Sequence, residues 1–202
     1  MIRRTLLLAA VIFIMINGAT AQTIWKADKA HSKIDFSVTH MVIAEVDGRF
    51  TDFDATLTAS KDDFIDAKIT ATIKTTSITT DNDFRDKHLR SDDFFNADKY
   101  PEIKFKSTSI EKTGDNTYKI IGDLTIRDTT RSVVLDTKYN GQVVAMGATK
   151  IAFKATTTIN RFDYGVHWDK TIESGGLVVG KNVDITLLLE FNKQSDEKKG
   201  SK

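Results

Sequence analysis

The sequence predicts an all-β fold of about eight antiparallel strands, closed as a barrel or folded as a sandwich, with a single helical interruption. Three observations carry this. Apolar and polar residues alternate through most of the chain, from Ile34-Phe36-Val38 to Val183-Ile185-Leu187. Clusters such as Lys61-Asp62-Asp63 and Thr113-Gly114-Asp115-Asn116 punctuate the alternation with turns. One stretch, Asp81–Phe105, abandons the alternation and reads as a short helical plug.

The N-terminus stands apart from these strands. Arg3 and Arg4 precede an apolar run, Leu6–Ile16, and Ala19-Thr20-Ala21 forms a small-residue cleavage site. That is the pattern of a secretory signal over 1–21, cleaved before Gln22, and it predicts a periplasmic or secreted protein. The run is shorter than the roughly 20 residues of a spanning helix, so the chain is not expected to span a membrane. There is no cysteine, hence no disulfide and no thiol for a lipid anchor. Removing 1–21 takes away two of 29 basic residues and none of the 28 acidic ones, leaving a net charge of −1. Such a balance argues against nucleic acid as a partner. Residues 22–192 suit one domain, followed by a polar, lysine-rich tail over 193–202.

Ile34, Phe36 and Val38 begin a run of even-numbered apolar positions that continues through Gly48 and Phe50. The parity then flips, because Phe53, Ala55, Leu57 and Ala59 are odd-numbered. A flip requires a turn or a bulge, since one extra residue sends every later side chain to the other face. Ala67, Ile69, Ala71 and Ile73 form the next strand, with threonine and lysine outside. Ile103 and Phe105 open another after Pro101. Tyr118, Ile120, Gly122, Leu124 and Ile126 share a face, as do Val133, Leu135 and Tyr139. Asn140-Gly141 is a hairpin signal. Ile151, Phe153, Ala155 and Ile159 follow. The last strand should turn Ile185, Leu187 and Leu189 inward and Asp184, Thr186 and Glu190 outward.

In the plug, Phe84, His88 and Leu89 fall at helical spacing. Thr80 or Asp81 can cap the helix, and Asp86 stands four residues before Arg90, the better order for an ion pair. Phe94 and Phe95 are adjacent, so at least one must find cover. Tyr100-Pro101 ends the helix and leads into a strand.

Catalytic machinery is sparse. There is no G-x-S-x-G, and the histidines, His31, His40, His88 and His167, are scattered without metal-ligand spacing, so no metal is expected. Gly175–Asn182 nearly matches a phosphate loop. It lacks the terminal hydroxyl residue and leads into a strand, which makes it a glycine-rich turn. Asp92-Asp93 reads as a turn or helix start rather than a catalytic pair.

A closed barrel of eight strands is either filled by its side chains or holds one small ligand. Small residues at inward positions, namely Ala44, Gly48, Ala55, Ala59, Ala67, Ala71, Gly122 and Ala155, leave room for a cavity, unless larger residues opposite fill it.

Several segments carry a resemblance. They are His31-Ser32 with Phe36-Ser37-Val38 and His40, Gly48-Arg49-Phe50, Arg85–Phe95, Lys99–Phe105, Gly122–Asp128, Ile159–Gly165 and Val179–Ile185. Together they span nearly the whole mature chain, which resembles the YceI-like family of exported, lipocalin-like barrel proteins. The resemblance implies an extended, eight-stranded antiparallel lipocalin-like β-barrel that holds a long-chain isoprenoid or similar lipid without catalysis. It implies no cofactor beyond a bound isoprenoid or isoprenoid quinone, and it leaves a homodimer open. Asp128, Ser132 and Tyr164 depart from the family pattern at turns and at a rim.

On that reading the ligand touches Phe36, Val38, Phe50, Leu57, Ile69 and Ile73 from the first strands. Leu89, Phe94 and Phe95 touch it from the plug, and Phe105, Leu124, Ile126, Leu135, Phe153, Ile185 and Leu187 from the later strands. Arg49, Arg85, Arg90 and Arg161 are candidate donors to a quinone or diphosphate head, although a surface or ion-paired role is the ordinary one for each. Two other classes remain: an enzyme acting on a hydrophobic substrate through His40 or Asp93, and a structural or stress protein with a solid core.

Overall fold

The computed structural model describes residues 22–195. The expected signal peptide and residues 196–202 of the expected tail lie outside them. The strands are Thr23–Ala27 (β1), Lys33–His40 (β2), Ala44–Phe50 (β3), Phe53–Ala59 (β4), Lys68–Lys74 (β5), Ile78–Thr79 (β6), Glu102–Gly114 (β7), Thr117–Ile126 (β8), Thr129–Ala145 (β9), Ala148–Asn160 (β10) and Val179–Lys193 (β11). The helix is Asp83–Arg90 (α1).

These eleven strands occupy eight positions in one closed antiparallel barrel. β1 and β2 both pair with β11, β3 and β4 form the next position, and β5 and β6 the third. β7 to β11 then follow as a simple meander. Each interrupted position carries a local break. The expected parity flip lies at Thr51-Asp52, between β3 and β4.

The break between β1 and β2 is repaired by side chains. The Ser32 hydroxyl donates to the Glu190 carbonyl (3.2 Å) and accepts from the Glu190 N–H (3.0 Å), standing in for a strand pair. Lys150 Nζ sits 2.6 Å from Glu190 and 3.2 Å from Asp28. His31 Nδ1 lies 3.1 Å from Asp28. The His31 hydrogen bond, with those from Asn192, Lys150 and the Ala30 N–H, holds the Asp28 carboxyl well below the usual carboxylate range in spite of burial. The ammonium of Lys150 is the cation of this acidic cluster.

Three local expectations are corrected. Asn140-Gly141 lies inside β9 and makes a bulge: Tyr139 pairs with Phe153 and Gly141 with Ala152, leaving Asn140 extra. Gly141 has φ +118°, and a bulge uses that freedom as readily as a turn does. The chain reverses instead at Met146-Gly147 (φ +51° and +77°). The cap of α1 is Asn82, whose side chain accepts from the Arg85 N–H. Asp86 is buried and makes no ion pair with Arg90 among the described residues; it accepts from the Thr80 N–H and hydroxyl. Burial alone would raise its pKa, but the bonds from Thr80 and Thr79 outweigh it and leave the carboxyl below its ordinary value.

The barrel ends differ. At one, Trp25, Leu57, Phe64, Phe153 and Phe191 pack together, with Phe64 edge-on to both Tyr139 and Phe153. At the other, α1, the turns leading to Pro101 and the loop 165–178 cover the opening.

Candidate functional site

Between these ends the barrel holds a narrow cavity of about 210 Å³. One water needs only about 10–15 Å³ of such space. The surface it presents is apolar even where Asp35, Thr137, Thr157, Arg161 and Tyr164 belong to the wall, so water gains no partners inside. The wall follows β11 from Val179 to Phe191; twelve steps at about 3.3 Å make roughly 40 Å of strand. Ile185, Leu187 and Leu189 point inward as expected and remain half-buried, because they border empty space rather than protein. Glu190 faces out to Lys150, and Thr158 donates to Asp184 outside.

The structure brings the expected apolar residues together. Phe36, Val38, Phe50, Leu57, Ile69 and Ile73 line the cavity from β2 to β5. Phe105, Leu124, Ile126, Leu135, Phe153, Ile185 and Leu187 line it from β7 to β11, and Leu89, Phe94 and Phe95 close it from the plug. Phe95 meets Phe50 edge-on at 5.9 Å. Phe94 packs against His88 (5.0 Å) and Trp168 (5.5 Å). Phe84 does not join them; it points to solvent, 86% exposed.

The small residues divide into four groups. Ala55, Ala71 and Ala155 border the open space. At Gly48 and Gly122 the missing side chain is replaced by a ring: an added Cβ would lie 2.3 Å from Phe36 and 2.4 Å from Phe105. Ala59 and Ala67 belong to the packed end, and Ala44 is exposed, outside the core altogether.

Three of the four arginines proposed for a polar head are elsewhere. Arg49 pairs with Asp81 on the surface (2.8 Å). Arg85 donates to the hydroxyl and carbonyl of Thr80, and Arg90 to the Ile78 carbonyl. Arg161 reaches the cavity wall and is 5% exposed, but its donors serve the carbonyls of Gly180, Val166, Trp168 and Val179 at 2.7–2.8 Å. Burial lowers its pKa. These bonds pin the loop over the barrel mouth. Arg127, not singled out in the sequence, does the same from the other side, donating to the carbonyls of Phe94 (3.0 Å) and Gly165 (2.7 Å). Val166 and Trp168 were equally hidden, because 165–178 has no periodicity; a tryptophan amid glycine and aspartate was the one signal.

Neither residue weighed for catalysis is placed on the cavity wall. Asp93 is held by His88 Nε2 (2.7 Å), and His40 ends β2 opposite Ala44 and Val179. The Tyr164 hydroxyl is pushed up to about 12, chiefly by burial.

A barrel of eight strand positions with an apolar interior and a helical cover defines the class. The YceI-like domain model matches residues 25–191, and the chain belongs to that family. The UPF0312 protein SAB2563 of Staphylococcus aureus is 36% identical over 167 residues, 82% of this chain and 95% of the relative. The solved YceI protein of Campylobacter jejuni has a TM-score of 0.67 at 31% identity, covering 78% of this chain and 90% of its own. Burkholderia cenocepacia BcnA has a TM-score of 0.71 at 22% identity, with 81% and 98% covered. A polyisoprenoid-binding domain of Saccharophagus degradans, implicated in plant cell wall breakdown, has a TM-score of 0.63 at 13% identity, with 84% and 98% covered.

Proposed function

We propose that the protein is an exported lipid-binding protein that holds one elongated apolar chain, an isoprenoid or similar lipid, within the barrel without catalysing its conversion. The cavity carries this reading: it is long, and the surface it presents is apolar. Water in such a space has no partners, whereas each buried methylene of a lipid contributes about 0.8 kcal/mol. The binding of a polyisoprenoid by the structurally similar domain of Saccharophagus degradans supports the same class. An enzyme would need an acid, base or nucleophile facing the substrate; Asp35, Tyr164 and Arg161 are among the lining residues but present apolar surface to the cavity, which favours binding over catalysis. Four of the five N–H groups of Arg161 serve main-chain carbonyls, which leaves head-group recognition weak, so the chain is what the site selects. Export rests on Arg3, Arg4, the run Leu6–Ile16 and Ala19-Thr20-Ala21; N-terminal sequencing of the mature protein that starts at Met1 would overturn it. The ligand is tested by organic extraction of purified protein and mass spectrometry. A long-chain lipid near one per protein is expected, and a blank would show a barrel that carries nothing.

A further inference from the structure

The hairpin joining β2 to β3 carries Met41-Val42-Ile43 at its tip, with Ile43 92% exposed. Met41 and Val42 have φ of +49° and +70°. A β-branched residue seldom adopts that conformation, and asparagine or glycine would take it at lower cost. The tip is nevertheless fixed in place. The Met41 N–H donates to the Val178 carbonyl (2.8 Å), and a Cβ added at Gly176 would lie 2.8 Å from a Val42 methyl. The cavity runs up to this tip: His40 pairs with Val179, and both Val38 and Val179 belong to the cavity wall. Exposed Phe84 stands at the same end of the barrel.

We infer that this end of the barrel docks on a lipid bilayer, with Met41-Val42-Ile43 entering the acyl boundary, so that the apolar chain passes between membrane and cavity without crossing water. The inference rests on the lipid-binding reading. The occupant is a bilayer because the ligand itself dictates it. Each methylene lowers aqueous solubility roughly fourfold, so a long apolar chain is available only from a lipid phase. The charges around the tip are mixed, Glu45 and Glu173 against Lys170 and Lys181, so apolar insertion, not surface potential, makes the attachment. The opposite end also exposes an apolar tip, at Val144 and Met146, but packed Trp25, Phe64 and Phe153 stand between that tip and the cavity.

The test follows transfer of cis-parinaric acid, a fluorescent long chain, from loaded protein to phosphatidylcholine vesicles. The variants are Ile43→Asp and, as a control at the far end, Met146→Asp. Both positions are exposed, so folding and loading should match the wild type. Ile43→Asp should slow transfer about tenfold, because the charge must leave water to enter the boundary. Met146→Asp should leave the rate unchanged, and wild-type transfer should rise with vesicle concentration and ignore salt. An unchanged rate for Ile43→Asp, an equal slowing by Met146→Asp, or a rate independent of vesicle concentration would overturn the docking surface while leaving the cavity's role intact. So would a concentration-dependent dimer in light scattering that Ile43→Asp abolishes, since a second copy would then cover the tip. Failure of the wild type to bind the chain at all would overturn the lipid-binding reading, and this inference with it.

Discussion

Ala71→Ile separates an open barrel from a filled one by the sign of its effect. Ala71 lies on the inner face of β5, paired with Ala55 on β4 and Phe105 on β7. It points inward and is still only half-buried, because the space beside it is cavity. Isoleucine adds three carbons and suits a strand. At about 0.8 kcal/mol for each buried carbon, the lipid-free protein should gain up to about 2.4 kcal/mol. With a urea m-value near 2 kcal/mol/M, that moves the unfolding midpoint up by about 1 M. The same atoms occupy space the ligand uses, so lipid content should fall. In a barrel already filled, the substitution would overpack the core and cost about 1–3 kcal/mol. The assay is urea unfolding of delipidated wild type and variant, with lipid content measured on protein purified without delipidation. A lowered midpoint with unchanged lipid content would refute both the cavity and the function built on it.

Three further outcomes are expected. Phe95→Asp places a charge against the cavity and should abolish lipid retention in a protein that still folds by circular dichroism, whereas exposed Lys99→Ala retains wild-type lipid; equal lipid in both would reduce the plug to a connection. Asp86 has a depressed carboxyl pKa, so its stabilisation is complete above about pH 4 and is lost as pH falls through the lower folded-state value; Asp86→Asn should cost about 2 kcal/mol at neutral pH and flatten the acid limb of the stability profile, and an unaltered acid limb would count against this account. Gly122→Ala should destabilise by about 1–3 kcal/mol, since its Cβ would meet the Phe105 ring and the Lys106 carbonyl, with Phe105→Leu recovering part of the loss; a neutral Gly122→Ala would show that the ring moves freely.

The barrel was legible because strand alternation has a period of two and a buried face keeps it strictly. The flip between Phe50 and Phe53 even located the break between β3 and β4. The cavity wall was legible for the same reason: a residue that faces inward in a closed barrel faces the cavity. What the alternation did not show was which small residues border open space. Gly48 and Ala71 look alike in sequence, yet one lies beneath the Phe36 ring and the other beside a void, and only the neighbouring strand decides. Asn140-Gly141 misled because the positive φ that glycine allows serves a bulge and a turn equally.

The arginines misled for a deeper reason, which concerns how such a barrel closes. Strands satisfy each other's carbonyls, but a cover built of short helix, turns and loop does not, and its inner side must stay apolar. Its carbonyls therefore need donors that reach from outside or from the rim. Arginine has five N–H groups on a long stem and can serve several carbonyls at once. Arg161 serves four, Arg127 bridges the plug at Phe94 to the loop at Gly165, and Arg90 ties α1 back to Ile78. Cations gathered at the mouth of a lipid-sized cavity look like head-group ligands in sequence. Here their hydrogen bonds are spent on the main chain of the cover. The cavity is left with an apolar surface, and on the proposed lipid-binding reading its selectivity comes from chain length and shape rather than from charge.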